Sequence, residues 1–282
     1  MRILTLKESQ HESLKVLIEI RDICKEQGWK YFLAWGTLIG AVRHHGFIPW
    51  DDDIDIIMPR RDFTDFLKFM ENEYKGALTI HTRSNTENYP WGIPRVSNDA
   101  FQFISTVKHQ KSYKLGVFVD VYPLDNWCDV IERSNEFKYA CDSISKMYRA
   151  YLNPLDTKEK WKIPGRLFKK LKFSFISRDE PNKGKYVDEQ IIKLVKKYSS
   201  DDDCWVGCPT WCDYLKIPFE KKWFEKSVDM EFENELFSVP IGYDGLLRRT
   251  YGDYMKLPPE EKRVPTHDYK IIAPDDYVGI DG

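Results

Sequence analysis

Apolar residues recur at helical spacing between Leu6 and Gln27, with Leu14, Leu17, Ile20 and Cys24 on one side, and Gly28 stands where a helix C′ residue belongs. Trp29–Trp35 then reads as a buried strand, Gly36-Thr37 as a turn, and Leu38–His44 as a short helix. After a loop holding Pro49, Asp51–Met58 alternates acid and isoleucine and predicts a second strand. Arg61–Tyr74 is amphipathic, with Phe63, Phe66, Leu67 and Met70 on one face, and Leu78–Thr82 predicts a third strand. Phe101–Lys108 and Lys114–Tyr122 look like paired strands, the second carrying Asp120 inside an apolar run that Pro123 closes. Asn126–Leu152 and Lys185–Tyr198 read as helices, and short elements follow from Pro218.

This order predicts an α+β class: a mixed sheet flanked by helices over residues 1–125, then a mainly helical part over 126–282 that completes one compact unit. The chain has 282 residues, 42% hydrophobic and 31% charged, with a net charge of -2. That is enough apolar material for a substantial core, and the even charge balance argues against nucleic acid as a bulk partner. Met1–Gln10 lacks an apolar leader core, and no run approaches the ~20 apolar residues of a bilayer span. The expectation is a cytoplasmic protein whose six cysteines are reduced. Cys204, Cys208 and Cys212 stand at a spacing a structural zinc site accepts, with the fourth ligand still to come from Cys128, Cys141 or a histidine. The other reading is three thiols in an aromatic-rich segment, which Pro209 keeps from being one helix.

Charge changes the picture most at Asp51–Asp55. Residues two apart on a strand share a face and lie about 6.6 Å apart, so Asp53 and Asp55 can lean onto one hard divalent cation. Without a cation, grouped carboxylates repel. Asp120 joins them if its strand is a neighbour. Mg²⁺ or Mn²⁺ suits such oxygen ligands and is commonly shared with substrate phosphates. An EF-hand loop starting at Asp51 fails, because its sixth position is Ile56 and its twelfth is Asp62. The Gly36-Thr37 turn at a helix start offers backbone N–H groups to a phosphate. Arg43, Arg95 and Arg248 or Arg249 are further phosphate contacts, and each has an ordinary ion-pair reading beside this one.

The run Trp35-Gly36-Thr37-Leu38-Ile39-Gly40-Ala41-Val42-Arg43, continuing to Asp51-Asp52-Asp53-Ile54-Asp55-Ile56, resembles the signature of the LicD family. These are bacterial phosphocholine transferases related to the fukutin proteins. Gly116–Asp125 is similar to a second block of that family, and Tyr251–Lys262 with His267 to a third. The resemblance implies a nucleotidyltransferase-type fold, with Gly36-Thr37 as its turn, Asp53 and Asp55 as its paired acids, and Asp120 as the third metal acid. It also implies transfer of a phospho-alcohol from a CDP-linked donor, usually CDP-choline, to a sugar hydroxyl of a surface glycan precursor such as a teichoic acid, lipopolysaccharide or capsule. CMP would leave, and His267 would contact donor or acceptor. The fukutin branch uses CDP-ribitol, so the alcohol stays open.

If the alcohol is choline, its quaternary ammonium wants aromatic faces; Trp50, Trp91, Tyr122 and Trp127 are available. Lys158–Arg178 interleaves basic and aromatic residues, a pattern that suits either an anionic membrane surface or a solvated helix with one buried face. Two other functions remain open from the residues: nucleotidyl transfer from an NTP, and a catalytically silent glycan- or nucleotide-binding module.

Overall fold

The computed structural model describes residues 2–105, 114–155, 157, 159–211, 218–265, 267 and 269–280. In chain order the elements are β1 (Arg2–Ile3), α1 (Leu6–Gln27), β2 (Phe32–Leu33), α2 (Trp35–His44), β3 (Asp55–Pro59) and α3 (Arg60–Asn72). Next come β4 (Thr79–His81), β5 (Arg95–Asn98), β6 (Gln102–Ser105), β7 (Val117–Trp127), α4 (Ile131–Leu152), α5 (Ile163–Ile176) and α6 (Lys183–Tyr198). The last are β8 (Trp205–Gly207), β9 (Phe219–Glu220), β10 (Ser227–Phe232), β11 (Glu235–Pro240), α7 (Tyr243–Tyr251) and β12 (Tyr269–Ala273). The class is α+β, as the pattern predicts. Among the described residues no helix is long and apolar enough to cross a membrane.

The chain divides into two compact units: Met1–Ile80, Arg95–Pro123 and Lys222–Gly282 form one, and His81–Pro94 with Leu124–Lys221 the other. The first is built on strands in the order β2-β3-β7-β5-β4. Leu33 pairs with Ile56 and Arg95 with Asp120, both antiparallel. A second sheet, β1-β12-β6, ties the start of the chain to its end, with Ile3 opposite Ile272 and Phe103 opposite Ile271. A hairpin, β10-β11, turns through Glu233 and Asn234, both at positive φ.

Local chemistry explains the helices around the sheet. Thr5 caps α1 by accepting from the Glu8 N–H at 3.3 Å, while Glu8 accepts from the Thr5 N–H at 2.9 Å. Gly28 ends the helix at φ 72°, a conformation glycine adopts without strain. Leu17, Ile20, Phe32, Leu38, Ile56, Val96 and Val119 are fully buried and make the core beneath the sheet. In α3, Phe63, Phe66 and Met70 face inward. The second unit has a core of Tyr148, Phe173, Val187 and Ile191 among α4, α5 and α6, and a smaller one of Trp127, Phe137 and Cys141.

Several sequence expectations move. The strand at Trp29–Trp35 shrinks to β2, because α2 begins at Trp35. The strand expected from Asp51 begins at Asp55. Its residues Asp55–Met58 are all buried, so β3 is covered on both faces instead of alternating. The expected pair Phe101–Lys108 and Lys114–Tyr122 keeps one backbone bond among the described residues, from the Phe103 N–H to the Leu115 carbonyl. The ladder of β6 is with β12, a partner remote in sequence that no local pattern announces, and residues 106–113 lie outside the described residues. β7 runs through Pro123 to Trp127. The missing N–H of Pro123 falls between the stretch paired with β5 and the stretch Asp125–Trp127 paired with β8, so neither ladder loses a bond.

Candidate active site

The residues that carry the candidate chemistry all lie in the first unit. The Asp120 N–H donates to the Ile54 carbonyl at 2.8 Å, which joins the start of β3 to β7 and brings their acids together. Asp53, just ahead of β3, Asp55 at its first position and Asp120 on β7 offer carboxylate oxygens all within 4.8 Å of one another. Asp52, Asp53 and His267 form a second group on the same limit.

Four of the five acids are fixed through their backbone, Asp120 by the bond to Ile54. The Asp55 N–H donates to the Thr37 hydroxyl oxygen at 2.9 Å, and the Ala34 N–H donates to the Asp55 carbonyl at 3.0 Å. Gln10 on α1 donates to the Asp51 carbonyl at 2.8 Å, and the Tyr269 hydroxyl donates to the Asp52 carbonyl. Thr37 therefore serves as the acceptor that seats Asp55, buried beneath the turn where the sequence suggested a phosphate contact. Gly36 has its own reason: a Cβ there would lie 2.4 Å from Asp51 Oδ2, so only a bare Cα lets that carboxylate approach the first turn of α2. Trp35, the first residue of α2, holds φ 46°, a conformation that costs a bulky side chain about 1–3 kcal/mol and that clusters at functional sites.

Charge is poorly balanced. Burial, then the charges of Asp53 and Asp52, pushes the Asp51 carboxyl up to about 8. Burial raises Asp53 to about 6, with His267 pulling it down and Asp120 and Asp52 pushing it up. Asp55 is driven well above the usual carboxylate range by burial and by Asp53, Asp120 and Asp51, while the Tyr122 hydroxyl bonds to it. Burial works against the His267 imidazolium, but its 2.8 Å hydrogen bond to Asp52 and the nearby Asp53 raise it to about 9. His267 Nε2 also stands 3.5 Å from Asp53 Oδ2.

The arginines divide. Arg95 grips both oxygens of Asp120, donating from Nε at 2.7 Å and from Nη2 at 3.3 Å, with its guanidinium 4.0 Å from the Phe118 ring centroid. It holds an acid of the cluster, where the sequence suggested a phosphate. Arg43 donates to the Tyr254 carbonyl and at 3.4 Å to the His44 ring. Arg248 pairs with Asp244 at 2.8 Å on the exposed side of α7. Of the candidate aromatics, Tyr122 reaches the cluster, and Trp50 lies beside His44 and Arg263. In the second unit Trp127 is core, donating to Ser134 at 2.6 Å, and Trp91 packs on Tyr89.

Sequence reasoning left Asp51, Asp52, Tyr122 and Tyr269 out of the acid site. The first two were signalled by the unbroken Asp51-Asp52-Asp53 run. The two tyrosines had no signal of their own.

A divalent cation fits this donor set. The ligands are oxygens, as hard cations require. Asp55 Oδ1 is buried and accepts no hydrogen bond from any described residue. The acids repel one another beyond what Arg95 and His267 offset, and a further positive charge would relieve this. The zinc reading stands apart: Cys204 is exposed, Cys208 is buried, and Cys212 lies outside the described residues. Among the described residues no cysteine belongs to a cluster able to hold a metal.

Comparison with known proteins bears on this site. The nucleotidyltransferase domain of the LicD/FKTN/FKRP family matches residues 28–162, which include Gly36, Asp53, Asp55 and Asp120. The lipopolysaccharide cholinephosphotransferase LicD of Haemophilus influenzae is 30% identical over 274 residues, covering 95% of this chain and 97% of that protein. An uncharacterised protein of Rickettsia typhi is 36% identical over 56 residues, 20% of this chain and 18% of its own. One of Rickettsia prowazekii is 40% identical over 48 residues, 17% of this chain and 18% of its own.

Proposed function

We propose that this chain, which belongs to the LicD family, transfers phosphocholine from CDP-choline to a sugar hydroxyl of a cell-surface glycan precursor and releases CMP. What carries the reading is the convergence of Asp53, Asp55 and Asp120 in a chain that matches a cholinephosphotransferase along almost its whole length. We place the reaction in the cytoplasm.

In this reading Asp53, Asp55 and Asp120 hold a Mg²⁺ or Mn²⁺ ion. When bound, that ion neutralises the donor pyrophosphate and the charge that builds on departing CMP. Arg95 orients Asp120 and offsets part of the charge that the acids place on one another. Burial and the neighbouring acids raise the Asp51 carboxyl to about 8, which lessens its repulsion of a phosphate arriving at the first turn of α2. His267, raised to about 9, stays cationic beside Asp52 and Asp53 and adds positive charge at the mouth of the site. The acceptor oxygen forms a bond to the phosphorus bearing choline as the bond from that phosphorus to the CMP oxygen breaks. The hydroxyl proton passes to a carboxylate of the cluster. Positioning and charge stabilisation supply most of the acceleration in such a transfer.

The test is CMP release from CDP-choline, CDP-ribitol, CDP-glycerol and CDP-ethanolamine, with lipid-linked glycan as acceptor, in Mg²⁺ and in chelator. CMP from CDP-choline that requires metal and disappears in Asp53→Asn and Asp55→Asn is the expected result. Turnover of a different CDP-alcohol would keep the site and change the substrate. Pyrophosphate release from an NTP, with every CDP-alcohol inert, would replace the reading by nucleotidyl transfer.

A further inference from the structure

The second unit carries a feature that the transfer chemistry does not use. Helix α5 sends Phe173, fully buried, into the core between α4 and α6. On its opposite side Phe168, Leu171 and Phe175 are 67%, 70% and 67% exposed. At 3.6 residues per turn these three fall within about 60° of one another, so they form one row. Trp161, in the turn that leads into the helix, is 76% exposed. A single helix leaving this much aromatic and aliphatic surface in water is unusual, and contiguous exposed apolar surface marks an interaction site.

Its charge says what the surface meets. Residues 160–178 contain seven lysines and arginines and no acid, in a chain whose net charge is -2. Arg166 is spent inside the unit, donating to the Asn153 and Pro154 carbonyls at 2.6 and 3.1 Å. Lys162 pairs with Glu159, and Arg178 stands 3.6 Å from Asp179. Lys169 and Lys172 are exposed and border the apolar row. Their long stems lie along apolar surface while the ammonium groups reach outward. A second copy of this face is a poor partner, since two basic faces would repel. A solvated helix would not display Phe168, Leu171 and Phe175 in line.

We propose that α5 with the turn before it is a docking element for an anionic phospholipid surface. Phe168, Leu171, Phe175 and Trp161 enter the headgroup boundary, and Lys169 and Lys172 sit against lipid phosphates. The helix lies in the interface and does not span it. This goes beyond the transferase reading and does not depend on it.

The test is flotation of the full chain with vesicles of pure phosphatidylcholine and of phosphatidylcholine with 30% phosphatidylglycerol. Two variants are compared: Phe168→Ser/Leu171→Ser/Phe175→Ser, and Lys169→Glu/Lys172→Glu. All five positions are on the surface, and unchanged circular dichroism and thermal unfolding check that each variant is folded. Each lysine near an anionic surface is worth a factor of about five in partition. The expected result is binding to anionic vesicles only, weakened by 0.5 M salt and at least about tenfold weaker in both variants. Wild type that stays off anionic vesicles, or binds neutral ones equally well, would overturn the proposal. So would a serine variant that binds as wild type does, which would make the segment a site for soluble polyanions.

Discussion

Asp53→Asn separates a residue kept for function from one kept for stability. Asp53 is 12% exposed in its side chain, and its carboxyl rises from the ordinary 3.8 to about 6. The folded state therefore binds more protons than the unfolded state as pH passes from about 4 to about 6. The stability tied to that proton is fully present below 3.8 and is lost as pH rises through about 6. By linkage, ionised Asp53 lowers the unfolding free energy by about 3 kcal/mol at pH 8 and about 1 kcal/mol at pH 4.5. Asparagine keeps the shape and removes the charge. In chelator, the urea midpoint of Asp53→Asn should exceed that of wild type by about 1 M at pH 8, and by much less at pH 4.5. Mg²⁺ should raise the wild-type midpoint and leave the variant's almost unmoved. CMP release by the variant should fall at least 100-fold. A variant less stable than wild type at pH 8, or a stability difference independent of pH, would refute the view that repulsion among these acids strains the empty fold.

Four further outcomes follow from the same geometry. Thr37→Val leaves the buried Asp55 N–H without its acceptor and should cost about 1–3 kcal/mol, whereas Thr37→Ser should keep both stability and CMP release; urea unfolding of the pair checks this. Arg95→Met strands the Asp120 charge and should cost about 3–5 kcal/mol; adding Asp120→Leu should return most of that stability and none of the activity. Gly36→Ala drives a methyl group to 2.4 Å from Asp51 Oδ2 and should lower CMP release at least about tenfold by displacing that acid, a 1 Å error in a site of this kind being enough. His267 is raised to about 9, so the stability it adds is fully present below 6.5 and disappears as pH rises through about 9; the melting temperatures of wild type and His267→Asn should converge over that range.

What the sequence made legible was local. Thr5, Glu8 and Gly28 mark both ends of α1 because capping and the left-handed C′ residue act within a few positions. Gly36-Thr37 and the acids from Asp51 to Asp55 could be read as a turn and a metal site because the residue types themselves state the chemistry. Asp120 stood out as an acid in an apolar strand. The pairings that complete the site are long-range. His267 reaches Asp52 across 215 residues, and β12, which carries Tyr269, joins β6 and β1 from the far end of the chain. Arg95 meets Asp120 only because β5 and β7 lie in a particular register. An arginine in a polar stretch reads equally well as a phosphate ligand or as a partner for a buried acid, and only the register decides. Pro123 was misread for a related reason: it looks like a strand end until the pairing of Asp125–Trp127 with β8 is known.

The acids Asp51, Asp52, Asp53, Asp55 and Asp120 converge with the cations Arg95 and His267, and the way they are held explains how such a cluster persists. The bonds that place them are mostly to backbone atoms: Gln10 to the Asp51 carbonyl, Tyr269 to the Asp52 carbonyl, Ala34 to the Asp55 carbonyl, Thr37 to the Asp55 N–H, and Ile54 to the Asp120 N–H. None of these depends on whether a carboxylate is ionised. Protonation or a bound cation can therefore change the charge of the cluster while its geometry stays fixed. A site that must accept a negatively charged donor and then release a negatively charged nucleotide benefits from this separation, because its donors need no reorganisation at the moment charge moves. The strain that burial and repulsion impose on Asp53 and Asp55 is then carried by the surrounding sheet, whose core of Leu33, Ile56, Val96 and Val119 is fully buried, and not by the chemistry itself.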